Sequence, residues 1–223
     1  MRIKLQRLYQ AFVAYRHSDN LGDFALLKAD AFRVEVEPAI ANKMAQIRGY
    51  TPQVDLAELI KLPAGTFGRE YASFMQKNGL KPLNISPELA EVGQNNLFAL
   101  RYAVTHDMLH VLLGFDTTYA GEIGVLAFAV AQKYSRLQNA SLAIARLLYP
   151  LLAPRQFRGI RENINRGRSI GEEAVFLLNY RFEDCWHESL ASLRQKLKIE
   201  LNTQSFDNRQ NVVGIDRRIE EQS

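Results

Sequence analysis

The chain has 223 residues, 47% hydrophobic and 23% charged, which supplies one sizeable core and one domain and excludes disorder as the dominant state. Its net charge of +4 is too small to mark a nucleic-acid binder, and one cysteine, Cys185, excludes a disulfide framework or a multi-thiolate zinc site and suits a reducing compartment. The longest apolar runs, Ile123 to Ala131 and Leu147 to Ala153, fall short of the roughly 18 residues of a membrane span, and polar residues behind the basic start leave no export signal.

In chain order, Leu5, Leu8, Tyr9, Phe12 and Tyr15 recur at helical spacing, and Asp19 to Gly22 end that helix. Further helices are expected from Asp23, from Pro38, over Leu56 to Leu62 and over Arg69 to Asn78, the last closed by Gly79. Ser86-Pro87-Glu88 starts a helical pattern that runs to Gly114, and another covers Ala120 to Tyr134. Ser141 to Tyr149 should stop at Pro150, Ser169-Ile170-Gly171-Glu172 fits a capping box, and Glu173 to Tyr180 and Glu183 to Ile199 close the series. The alternation Val34 to Glu37 is too short to imply a sheet. The expected architecture is a single-domain all-α bundle over residues 1–201, with a metal-binding helical hairpin and a polar, poorly ordered tail over 202–223.

The hairpin carries the chemistry. His106 and His110 are four apart on a helix, so their rings lie within about 40° on one face and can reach one ion. His110 stands six residues before Asp116 and Glu122 six after it, so a reversal near Asp116, relaxed by Gly114 and Gly121, returns the glutamate to the depth of His110. Two imidazoles with one or two carboxylates suit a divalent ion and keep a coordination position open. Asp107 is open to three roles: ligand, orienting partner of a histidine, or general base. A metallopeptidase would need Glu where Asp107 stands, a His-Asp phosphohydrolase a nearer upstream histidine than His17, and a di-iron bundle a second Glu-x-x-His.

Between Pro154 and Arg168 lie Arg155, Arg158, Arg161, Arg166 and Arg168 against one acid, Glu162. Clustered guanidinium groups pair with phosphate oxygens and are drawn to anionic lipid surfaces, which makes Arg155, Arg158 and Arg161 the candidate lipid or anion contacts. Phe98 to Leu113, Ile123 to Val130 and Leu142 to Leu152 offer more apolar surface than one inward stripe, most of which ordinary core packing uses. Cys185 and His187 do not face each other, and Trp186 reads as core or as part of a contact in a homodimer.

His106-Asp107-x-x-His110, eleven residues, then Glu122 resembles the signature of the fourth protein family of coenzyme Q (ubiquinone) biosynthesis. Gly65 to Tyr71, Phe74-Met75, Arg101-Tyr102 and Leu193 to Leu197 extend the likeness, while Ala103-Val104-Thr105 depart from the charged residues usual before the motif. The resemblance implies an all-α, membrane-peripheral protein with a divalent metal, zinc with magnesium as the alternative, held by His106, Asp107, His110 and Glu122. It further implies a polyprenylated quinone precursor as ligand and oxidative decarboxylation at the first ring carbon; Asp107, as ligand or base, is the candidate catalytic residue for it. The alternative is a non-catalytic lipid-binding scaffold that presents prenylated intermediates to the other quinone-biosynthesis enzymes. The expected location is the cytoplasm, against the inner face of the membrane.

Overall fold

The computed structural model describes residues 38–50 and 52–201, together with Asp23, Leu26, Leu27 and Val36. The helix expected over Leu5 to Tyr15, His17 and the tail from Asn202 lie outside the described residues. Those described form nine α-helices, three short 3-10 turns and no strand, one all-α domain.

Local signals explain most helix starts. Helix α1 (Pro38–Ala45) opens on its proline, and α2 (Leu56–Leu59) is capped by Asp55, whose Oδ1 accepts from Ala57 N at 2.8 Å. Thr66 caps α3 (Phe67–Lys77), two residues before the expected start, and Gly79 follows it at φ +64°. The long pattern from Pro87 is broken: a 3-10 turn leads into α4 (Ala90–Asn95), and Asn96, at φ −133°, ends it and caps α5 (Leu97–Leu113) through Ala99 N. The hairpin partner is α6 (Tyr119–Ala131).

The C-terminal half departs further from expectation. Helix α7 (Arg136–Leu152) begins earlier and runs through Pro150, because the carbonyl that a proline there leaves without a donor belongs to exposed Arg146. The arginine-rich stretch is itself α8 (Phe157–Glu173), so Ser169 to Glu172 are its last turn and not a cap. Residues Glu173 to Tyr180 do not form a separate helix: Val175 N bonds Leu197 O at 3.1 Å and Leu177 N bonds Gln132 Oε1 at 3.2 Å, leaving no helical ladder. The last expected helix is split into a 3-10 turn and α9 (Leu190–Lys196), with Ser189 as cap, because residues 186–190 bond the backbone of 65–68 instead.

Helix α5 is buried on nearly every side and forms the centre of the bundle. Helix α8 lies along α6 at close range, since a Cβ on Gly167 would collide with the Gly124 carbonyl and one on Gly171 would stand 2.7 Å from Phe128 O. At the other end of α5, buried Arg101 donates to Glu183 at 2.7 Å and to Tyr180 O at 2.8 Å. Phe67, Tyr71 and Trp186 stack beside it at centroid distances of 5.0 and 5.3 Å.

Candidate metal centre

The α5–α6 hairpin turns in five residues. Gly114 takes the left-handed conformation at φ +65°, which closes α5 without the penalty a side chain would bring. The last three carbonyls of α5 and that of its cap Gly114 are all engaged: Arg194 donates to Val111 O and Leu112 O at 2.8 Å, and Arg166 to Leu113 O at 2.6 Å and Gly114 O at 2.9 Å. Arg166, counted with the surface arginines in the sequence, is thus turned inward. Asp116 then accepts from Thr118 N at 3.1 Å and Thr118 Oγ1 at 2.6 Å, and Thr118 caps α6 through Gly121 N. Gly121 does not relax the turn: it is ordinary helix, and it is glycine because a Cβ would overlap the Asp116 carbonyl.

This turn delivers Glu122 to the two histidines. His106 Nε2 and His110 Nε2 are 3.3 Å apart, and each is 3.3 Å from one oxygen of Glu122. The three ligand atoms lie within 4.8 Å of one another. His110 is fully buried, while the side chains of His106 and Glu122 are 28% and 36% exposed, so the group opens on one side only. Phe74 stacks on His110 at 5.8 Å, and Tyr102 meets His106 edge-on at 5.9 Å.

Proton positions follow from the partners. His110 Nδ1 faces Phe115 O at 3.4 Å; a carbonyl only accepts, so Nδ1 carries the proton and Nε2 is directed at Glu122 and His106. Burial works against the Glu122 carboxylate, but its interactions with the two imidazoles outweigh it and hold the group down at about 2. Burial likewise opposes a charge on His106, yet Glu122 and Asp107 raise it above its ordinary value. Asp107 is pushed up by burial, with both histidines pulling against that shift. The donor set fits a cation: two nitrogens and a carboxylate that share protons without metal present three lone-pair donors with it.

Among the expected ligands, then, His106, His110 and Glu122 converge, and Asp107 is not one of the three grouped donors. Arg155, Arg158 and Arg161 are exposed on the turn into α8 and its first turns, Arg158 paired to Glu162 at 2.7 Å and Arg161 over the Phe157 ring. Beside Glu122, the inner face of α7 contributes Leu142 and Tyr149 to an apolar cluster with Ile123, Leu126 and Ile160. Its outer face exposes Ile144, Leu147, Leu148, Leu151 and Leu152. Two residues of the site surroundings escaped the sequence reading as site residues: Tyr102, which only its place before the motif marked, and Gln138, which stands three after Ser135 and so has the spacing of a capping box. Burial pushes the Tyr102 hydroxyl up to about 12, Gln138 pulls against that and the Glu122 charge adds to it.

No helix among the described residues is long and apolar enough to cross a membrane. Residues 41–203 match the family described as Coenzyme Q (ubiquinone) biosynthesis protein Coq4. The chain is 32% identical over 200 residues to the ubiquinone biosynthesis protein COQ4 homolog, mitochondrial, of Xenopus tropicalis, covering 83% of this chain and 68% of that one. For the homolog of Nematostella vectensis the identity is 34% over 181 residues, covering 75% and 82%. The human homolog is 34% identical over 159 residues, with 67% of this chain and 56% of that protein covered. A crystal structure described as a ubiquinone biosynthesis protein of Nostoc punctiforme superposes with a TM-score of 0.62 at 23% identity, over 88% of this chain and 97% of the other, which shows a shared fold. The extent of these matches, laid over the helical bundle, places the chain in the coenzyme Q (ubiquinone) biosynthesis protein Coq4 family.

Proposed function

We propose that His106, His110 and Glu122 hold one divalent cation and that the protein acts there on a polyprenylated aromatic precursor of ubiquinone, by oxidative decarboxylation at the first ring carbon. The convergence of three donors on one half-open spot carries this reading. The donor set, two imidazole nitrogens and one carboxylate, favours zinc over magnesium.

Such an ion supplies Lewis acidity toward an oxygen of the head group. The chain's own residues do the rest. Phe115 O fixes the tautomer of His110, and Phe74 and Tyr102 hold the two imidazole planes. Asp107, outside the three converging donors, is the base that takes a ring-hydroxyl proton on its carboxylate; its raised value, nearer neutrality, suits that task. The apolar cluster of Ile123, Leu126, Leu142 and Ile160 takes the start of the prenyl chain.

A second reading, a non-catalytic scaffold that holds prenylated intermediates at the membrane for other quinone-biosynthesis enzymes, is favoured by the outer surface. There the exposed leucines of α7 adjoin Arg155, Arg158 and Arg161, a combination suited to an anionic bilayer. Turnover separates the two. With metal and dioxygen, the parent protein should release carbon dioxide from a carboxyl-labelled prenylated hydroxybenzoate, while Asp107→Asn binds the compound and releases none. Binding without turnover by the metal-loaded parent would give the site to the scaffold.

A further inference from the structure

Gln138 is 7% exposed, and neither its Nε2 nor its Oε1 has a hydrogen-bond partner. A buried primary amide left without partners is costly, so its presence calls for a reason. The local reason fails. Ser135-x-x-Gln138 has capping-box spacing, yet Ser135 makes no side-chain cap bond and the Gln138 amide bonds no backbone N–H of the first turn.

The amide lies instead beside the Tyr102 hydroxyl, and the Tyr102 ring meets His106 edge-on at 5.9 Å. Tyr102 and His106 are one turn apart on α5, so their side chains share a face. From the other wall, the inner face of α7 brings Gln138 and, further along it, Leu142 and Tyr149, which pack with Ile123 next to Glu122. A donor and an acceptor without partners therefore sit one side chain away from the three converging donors. The amide offers a donor and an acceptor side by side and no charge, which matches a hydroxyl that donates and accepts at once.

From this arrangement we infer that Gln138 and Tyr102 form a specificity subsite for a neutral oxygen substituent of the bound aromatic ring, a phenolic hydroxyl, next to the oxygen that the cation holds. The inference rests on the proposed metal-held head group and adds the residues that read its second oxygen. A site built to bond a hydroxyl discriminates against a ligand that lacks it, because the amide is then left buried and unpaired.

The probes are a decyl-substituted hydroxybenzoate and the same decyl benzoate without its ring hydroxyl, titrated calorimetrically into the zinc-loaded full chain. The parent should prefer the hydroxylated probe about tenfold. Gln138→Leu should bring that ratio to near one, keep stoichiometric zinc, and leave the melting temperature unchanged or higher, because it removes an unpaired polar group. Tyr102→Phe should reduce the same ratio and serves if Gln138→Leu does not fold. Equal binding of both probes by the parent overturns the subsite and leaves the metal-held head group standing. Binding of neither probe removes that reading and the subsite with it. A lower melting temperature with an unchanged ratio in Gln138→Leu makes the glutamine a structural residue and also overturns the inference.

Discussion

Glu122 sits between two imidazoles, and its charge organises the site. In the metal-free protein its carboxyl has moved from 4.5 to about 2, so the stabilisation it gives is present above pH 4.5 and is lost as the pH falls toward 2. His106 has moved up from 6.5, so its share is present below that pH and is lost as the pH rises through the higher value. The metal-free parent should therefore exceed metal-free Glu122→Gln in melting temperature most clearly between about pH 4.5 and 6.5, with the gap closing on both sides; thermal melts over pH 3 to 9 check this. With metal, removing a ligand has a simpler outcome. His106→Ala and His110→Ala should lose stoichiometric metal and Glu122→Gln should bind it at least tenfold more weakly, read by elemental analysis after dialysis. At this scale the sequence was informative, because spacing alone brings His106 onto the face of His110 and the numbering around Asp116 returns Glu122 to them. Gln138 was not legible, since its spacing from Ser135 imitates a cap and only burial without partners reveals another task.

The elements that hold these residues are exact where side chains are missing. Gly121→Ala would drive a methyl into the Asp116 carbonyl, so it should cost about 2 kcal/mol and weaken metal binding as the turn shifts. Gly167→Ala strikes the α6 backbone at Gly124 and should destabilise to a similar degree. Because Gly167 lies outside the turn, its variant should retain stoichiometric metal; denaturant titration and metal analysis on both variants separate the two effects. Arg101→Met leaves Glu183 buried without its cation and should cost about 3 kcal/mol or more. Helix periodicity was readable in the chain, but helix ends in the C-terminal half were not. Ser169-x-x-Glu172 has a cap's chemistry while Ile170 and Gly171 are already committed to packing as α8, and Pro150 breaks no helix where the carbonyl it orphans is exposed. Trp186 to Leu190 leave the helical pattern because their backbone is bonded to residues 65–68, a partner far away in sequence.

Across the whole molecule, α7 joins two surfaces: an apolar inner face packed with Ile123, next to Glu122, and an outer face of exposed leucines. If that region meets a bilayer, Leu147→Gln with Leu151→Gln, at positions 73% and 77% exposed, should lower sedimentation with neutral and anionic vesicles alike. Arg158→Gln with Arg161→Gln should lower it only with anionic ones, and added salt should act as the arginine changes do. Neither pair should alter metal content. All of this depends on the ion at the centre, and X-ray absorption at the metal edge of the protein loaded with one equivalent of zinc tests it most directly. The account predicts one zinc per chain with two imidazole nitrogens and a carboxylate oxygen in its first sphere, the imidazole scattering lost in His110→Ala, which does not retain the ion. A spectrum without imidazole scattering, or one that His110→Ala leaves unchanged, would contradict it.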